Sequence, residues 1–414
     1  MSDAYGALRI PEFRLILLTR LCITLAVQIQ YVTIGWQIYQ LTGDKLALGL
    51  TGLAEAIPYI VVSLFSGYVA DAYNRKYVYG FALAVLFAGS VALAYIGMND
   101  THTIVHYGLF PFYGVIGVIG FARGFMGPSH GALWGEIVPR ELYANAATWN
   151  ANTYNTGSVT GPALGGLLIG FAGEKVSYIV VCGLVILAFI LIMVVRSRPV
   201  QPHGHGETLR TKLTAGLRFV FGNQVLVGAM ALDMFAVLFG GAVVMLPAIA
   251  KDVLHVGPEG MGLLRAATAL GSIAMGLVVA FHPPVKNTGY KLLLCVAGFG
   301  ACMVGFAYSE LYWLSFALLA TSGAFDNISM VIRGSIAQLM TPDQMRGRVS
   351  AVSGIFIGSS NEIGAFESGV AARFMGLQPS IMFGGIMTLI VVATTWLIAP
   401  KLRTFQIHSS TETE

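Results

Sequence analysis

Charge is what this sequence has least of. Asp, Glu, Lys and Arg make up 11% of its 414 residues while 56% are hydrophobic, against about 25% and roughly 45–50% in an ordinary soluble domain. A chain of that balance, with a mean hydropathy of +0.73, has too little polar surface to stay in water. This argues against a nucleic-acid partner, a cytosolic enzyme and a disordered scaffold together. Cysteine is also scarce: Cys22, Cys182, Cys295 and Cys302 stand in apolar stretches and never as C-x-x-C, so no disulfide frame or zinc site is read and the thiols are taken as small buried hydrophobes. No G-x-x-x-x-G-K-[ST] phosphate loop and no H-E-x-x-H zinc helix occurs. The expectation is a protein that is not an enzyme, with no catalytic residues, no cofactor and no metal. His130, His203 and His205 form no ligand set.

What the sequence does have is long apolar runs. Crossing about 30 Å of hydrocarbon takes roughly 20 residues of helix, and twelve stretches qualify, at 14–40, 47–70, 77–97, 104–128, 143–172, 176–196, 222–250, 258–281, 290–308, 311–335, 348–375 and 379–399. The fold class expected is an all-α integral membrane protein of twelve transmembrane helices in two pseudo-symmetric six-helix bundles. The longest polar interruption, about 196–218, follows the sixth run. It divides the chain into an N-terminal bundle (1–196), a cytoplasmic linker (197–221) and a C-terminal bundle (222–414). Within the linker, Leu209, Leu213 and Leu217 repeat at i, i+4 and i+8 beside Arg210, Lys212 and Arg218, the pattern of an amphipathic helix on the inner leaflet. Sixteen Lys and Arg fall in the loops on one face and three, Lys45, Lys175 and Lys251, on the other. The positive-inside rule then puts both termini in the cytoplasm. The polar start, with Arg9 ahead of a long apolar run and no cleavage signature, implies that the first helix is retained.

The halves repeat. Shifted by 203, Gly120–Pro139 lies on Gly323–Pro342, and shifted by 210, Gly52-Leu-Ala-Glu55 lies on Gly262-Leu-Leu-Arg265. Internal repeats of this kind are how many transporters build a site near the membrane midplane.

Three motifs carry a resemblance. Between the second and third runs stands Gly67-Tyr-Val-Ala-Asp71-Ala-Tyr-Asn74-Arg75-Lys76. It resembles the signature loop of the major facilitator superfamily, G-x-[LV]-[AS]-D-[RK]-x-G-R-[RK], a gating motif that joins a tight turn, an acid at a helix end and bases at the inner surface. Asn74 replaces the usual Gly, as the next residue able to accept positive φ, and Ala72 replaces the usual base. In the fifth run, Gly157-Ser-Val-Thr-Gly161-Pro162-Ala-Leu-Gly165-Gly166 resembles the antiporter motif of the superfamily's exporters, with Thr148 where an earlier glycine is usual. Its glycines clear one helix face and its proline bends the helix. Pro342–Val352 with Gly364–Gly369 is similar to the exporter branch called transmembrane secretion effectors, which includes enterobactin exporters and macrolide efflux proteins. The resemblance implies a bacterial inner-membrane, proton-coupled exporter of a siderophore-like or drug-like small molecule, an antiporter working by alternating access as a monomer. An uptake carrier or facilitator of the same fold is the alternative.

An ionisable side chain inside a span costs about 2.5–3.5 kcal/mol on insertion scales, so those retained need a partner, water or a task. Arg20, Thr24, Gln28 and Tyr31 form one polar face of the first run; Arg123 and His130, and again Asp326 and Arg333, stand seven apart; Asp233 lies in the seventh run. In the superfamily, spans one, four, seven and ten line the central cavity, and the resemblance places these side chains there, with Asn152 of span five and Glu367 of span eleven. The repeat matches Arg123 to Asp326 and Glu55 to Arg265, opposite charges able to pair. For Arg20 and Arg333, snorkelling to the cytoplasmic surface is the alternative. Asp326, Asp233, Glu55 and Glu362 are the candidate proton carriers, in that order.

Overall fold

The computed structural model describes residues 5–98, 106–196, 209–282, 284, 287–342 and 345–406, and these residues contain helices and no strand. Only a closed barrel or helices can satisfy every backbone N–H and C=O inside lipid, and the sequence offers 20-residue apolar runs without strand alternation. The helices are α1 (Pro11–Thr42), α2 (Lys45–Ala72), α3 (Arg75–Met98), α4 (Phe110–Ile137), α5 (Tyr143–Val194), α6 (Leu209–Phe221), α7 (Gln224–Gly240), α8 (Pro258–Phe281), α9 (Thr288–Tyr308), α10 (Tyr312–Met340), α11 (Arg346–Met375) and α12 (Leu377–Ile398). Ten stretches of the described residues are long and apolar enough to cross a membrane. One of them contains α5, which is two spans joined at Gly173, where φ is +83° and the helix breaks. Span-length α11 falls short only in apolarity, since it carries Glu362, Glu367 and Arg373. With these two, twelve helices of membrane-spanning length are present.

Two boundaries and one turn differ from the sequence reading. α4 starts later and runs on through Pro128 to Ile137 rather than stopping at 128, because a proline removes one N–H bond without ending a helix whose neighbours hold it. His130 is therefore two turns inside the end of this helix and 3% exposed. Span seven is broken: α7 stops at Gly240, and a 3-10 turn (Ala242–Met245), a short α turn (Leu246–Ala248) and a π turn (Ile249–Val253) follow. Asn74 is not in the left-handed region, where His255 and Asn287 are the non-glycine residues found. Its side chain instead accepts from the Lys76 N–H at 3.1 Å and caps α3, which satisfies a first-turn donor and removes any need for a glycine.

The repeat persists in the helices: α4 ends at Ile137 and α10 at Met340, 340 − 137 = 203 residues apart, the shift read from sequence. By contacts the chain forms two compact units. The first is Met1–Thr42, Leu53–His205 and Val256–Ala266; the second is Gly43–Gly52, Gly206–His255 and Ala267–Glu414. The opening residues of α2 thus belong with the second unit and those of α8 with the first, which a division by chain order does not anticipate.

Glycine explains both exchanges and the packing inside the first unit. A Cβ on Gly157 would lie 2.8 Å from Thr24 Cβ and one on Gly161 2.6 Å from Gln28 Cβ, while Gly165 faces Ile29 and Val32. The i, i+4, i+8 glycines of α5 are the slot into which α1 fits. Gly166 turns away from that stripe onto Gly262 of α8, with the Cα at 3.0 Å from its added Cβ. In the second unit, Gly49 of α2 meets Gly369 of α11 in the same way, 2.7 Å from its Cα.

Filling these slots is expected to destabilise the protein. Gly161→Val should lower the detergent unfolding temperature by the equivalent of about 1–3 kcal/mol of overpacking or more. Gly67→Ala, where a Cβ meets nothing within 4 Å, should leave it unchanged. Equal effects in fluorescence-monitored thermal unfolding would show that the glycine stripe is not a packing slot.

Candidate transport site

Two charged clusters lie within the spans, one in each unit. In the first unit, Tyr31 of α1 shares its hydroxyl hydrogen between the two oxygens of Glu55 of α2, at 2.7 and 2.8 Å. Arg123 of α4 donates through Nη1 to both Glu55 Oε1 and the Tyr31 hydroxyl. The Tyr31 ring also carries cations: the guanidinium carbon of Arg123 lies 5.2 Å and that of Arg265 lies 5.4 Å from its centroid. Glu55 is 2% exposed, so an isolated carboxylate there would be severely penalised. The phenol and guanidinium supply the hydrogen bonds that hydration would otherwise give. Arg123 was matched by the repeat to Asp326, but its acceptor within its own unit is Glu55. Arg265, matched to Glu55, joins the same cluster through Tyr31.

In the second unit, Arg333 of α10 is held at two of its nitrogens and approached at the third. Nε donates to the Ser329 carbonyl at 3.2 Å, Nη1 pairs with Asp233 of α7, and Nη2 lies 3.7 Å from Oδ1 of Asp326, seven residues earlier in α10. The two acids are unequal. The Asp233 side chain is 10% exposed and in direct contact, whereas that of Asp326 is 51% exposed and beyond hydrogen-bond distance. Asp233, Asp326, Phe299 and Phe325 line one small recess. Arg333 therefore neutralises one acid firmly and a second only loosely.

The remaining sequence-derived positions are dispersed. Arg20 lies on α1 with its guanidinium carbon 4.8 Å from the Tyr154 ring centroid. Thr24 spends its hydroxyl on the Arg20 carbonyl at 2.8 Å, and Gln28 packs on Gly161. Asn152 is exposed on α5, while Glu362 and Glu367 are half-buried on α11. At the other motif, Asp71 stands in the last turn of α2, Arg75 pairs with Glu136 at the end of α4, and Lys76 donates to the Met193 carbonyl at 2.8 Å. The motif's bases thus tie the ends of α3, α4 and α5 inside one unit. His203 and His205 lie outside the described residues, as does the linker from 197 to 208; α6 begins at Leu209.

Sequence reasoning passed over Tyr79, Asn150 and Tyr154. Asn150 and Tyr154 stand at i and i+4 in the fifth span, and that spacing was the available signal. It also read the sequence as holding no G-x-S-x-G, which was wrong: Gly127-Pro-Ser129-His-Gly131 spells that nucleophile-elbow pattern. The elbow needs a strand-to-helix turn, and here the five residues are interior to α4.

The profile of the transmembrane secretion effector family matches residues 2–413. The chain belongs to that family. Among curated relatives, the enterobactin exporter EntS of Citrobacter koseri is 24% identical over 401 residues, 96% of this chain and 94% of the relative. EntS of Shigella dysenteriae gives the same identity and coverage. Among solved structures, a bacterial homologue of the human lysosomal transporter Spinster superposes with a TM-score of 0.77 at 14% identity, covering 97% of this chain and 99% of that one. The nucleoside transporter NupG gives 0.75 at 13% identity, with 93% and 99% covered. The fold is that of major facilitator transporters, and this chain is a multi-pass membrane transporter related to the enterobactin exporter.

Breaking the first cluster should cost more than removing it. Arg123→Met leaves a buried, uncompensated Glu55, a loss of about 3–5 kcal/mol, and Arg123→Met with Glu55→Gln should recover part of it. Thermal unfolding of the single and double variants checks this. Additive losses would mean that the two side chains do not act as a pair.

Proposed function

We propose that this transporter is a proton-coupled exporter of an amphipathic organic small molecule, siderophore-like or drug-like, working by alternating access in the bacterial inner membrane with both termini cytoplasmic. The division read from sequence, bundles 1–196 and 222–414 joined by 197–221, provides the two moving halves, and one copy of the chain suffices. The observation that carries the reading is the Asp233–Arg333–Asp326 cluster. A carrier of protons needs a carboxyl that can be charged in one state and neutral in another. Asp233 is locked to Arg333, but Asp326 is half exposed and 3.7 Å away, near enough to feel the cation and free enough to exchange a proton with water. Asp326 is accordingly the proton carrier and Asp233 the fixed counter-ion. Glu55, closed in by Tyr31 and Arg123, is the structural counterpart in the other unit. Glu362 and Glu367 are half-buried acids of α11.

Family membership supports transport, and the relatives named as exporters support the outward direction. The glycine slot of α5 supports it further, since the match to the antiporter motif is realised as close packing on α1 and α8. No ATP-binding loop is present in the sequence, so an ion gradient is the source of energy. The Asp71–Lys76 motif serves as the cytoplasmic gate, with Arg75 and Lys76 anchored on Glu136 and Met193.

Asp326→Asn should abolish pH-gradient-driven accumulation of exported substrate in inverted membrane vesicles while leaving the protein folded in the membrane. Asp233→Asn should instead lower its thermal stability. Full gradient-driven transport by Asp326→Asn would remove that residue as the carrier. Substrate accumulation inside right-side-out vesicles would favour the uptake reading.

A further inference from the structure

A third polar group in the first unit lies apart from both charged clusters and is left incomplete by the protein itself. Arg20 enters from α1, Tyr79 from α3, His130 from α4 and Asn150 and Tyr154 from α5. The His130 and Tyr79 rings lie 5.8 Å apart, and the Arg20 charge acts on both. His130 Nε2 is within 2.8 Å of Asn150 Oδ1, which fixes the ring. The other edge is unmet: His130 Nδ1, the Tyr79 hydroxyl and Arg20 Nε are each buried with no hydrogen-bond partner. Tyr79 is 1% and His130 3% exposed. Buried polar groups are normally paired, and an unsatisfied one costs about 1–3 kcal/mol. Three such atoms occur on this one group of side chains.

The charge is as incomplete as the hydrogen bonding. Among the described residues the Arg20 guanidinium makes no ion pair with a carboxylate; its neighbour is the face of Tyr154. The other unit shows what completion looks like. His130 corresponds to Arg333 by the 203-residue repeat, and Arg20 and Asp233 each stand nine residues after the start of their helix. In the second unit, then, the first helix of the pair supplies an acid that neutralises Arg333. In the first unit both positions are basic residues and neither supplies an acid.

We propose that Arg20, Tyr79 and His130 form a binding subsite for an anionic oxygen group of the transported molecule, with Tyr154 as the aromatic wall for its apolar part. The oxyanion accepts from Arg20 Nε and the Tyr79 hydroxyl, both donors; the His130 ring, whose Nε2–H donates to Asn150 Oδ1, borders the subsite without donating to the oxyanion. This deepens the exporter reading and rests on it for the molecule's being a transported one: the amphipathic substrate is an acid rather than a lipophilic cation.

The test is equilibrium binding to the purified full-length protein in lipid nanodiscs, with 1-naphthoate as the anionic probe and 1-naphthamide as its neutral match. The expected result is saturable naphthoate binding at least tenfold tighter than naphthamide. That preference should be lost in Arg20→Gln with naphthamide binding unchanged, retained in part in Arg20→Lys, and reduced several-fold in Tyr79→Phe, which removes one hydroxyl and keeps the ring. If Arg20→Gln does not fold, Tyr79→Phe and Arg20→Lys decide. No naphthoate binding to the native protein, equal affinity for the two probes, or an undiminished preference in these variants would overturn the subsite. Binding at equilibrium has no direction and needs no proton gradient, so such a failure is distinct from failure of the exporter reading, which vesicle transport measures.

Discussion

A charge inside a span of this protein is costly without a counter-charge close by, because the surrounding lipid offers none, and in each unit one buried acid has such a partner. That constraint is met locally. Glu55 is closed in by Tyr31 and Arg123 in one unit, and Asp233 is paired with Arg333 in the other. Buried pairs of this kind are weak evidence of stability for its own sake, since a well-packed apolar replacement is often no worse. Their retention in a chain with so few charges points to use. The informative members are those that the arrangement leaves under-satisfied: Asp326, which Arg333 reaches only at a distance, and Arg20, which no carboxylate among the described residues answers.

Packing sets the frame in which those charges sit. Within lipid the hydrophobic effect does not draw helices together, so shape complementarity between small residues has to do so. The α5 glycines admit α1 so closely that Thr24 and Gln28 lie against helix backbone, and this fixes the register of the first span. Tyr31 is two turns further along the same helix and Arg20 one turn back, so the glycine slot positions a member of two polar groups at once. Gly166 with Gly262 and Gly49 with Gly369 make the same kind of contact at the openings of α8 and α2.

Much of this was legible in the sequence, because hydropathy over 20 residues is a long, averaged signal: all twelve helices were placed, α8 with both ends correct. Short-range chemistry was harder. The fourth apolar run was read as 104–128, whereas the helix continues to Ile137 and buries His130. Asn74 read as a left-handed turn residue because a glycine is usual there, whereas its carboxamide caps the next helix. Partner choice was the least legible. Arg123 and Glu55 are 68 positions apart, and the repeat directed attention to Asp326 instead, since a symmetry relation says which residues correspond and not which ones touch. Which acid is held fast and which is held loosely is not legible in sequence spacing, because it depends on how closely each approaches Arg333.

The central claim is that movement of the organic molecule is tied to movement of a proton. Its most direct test is to follow internal pH in proteoliposomes of the purified native protein while siderophores, macrolides and lipophilic cations are added in turn. The account predicts proton movement evoked by a substrate, saturating with it and opposite to it in direction. Substrate movement with no accompanying proton flux would contradict it, and the acids at Arg333 would then be structural counter-ions alone.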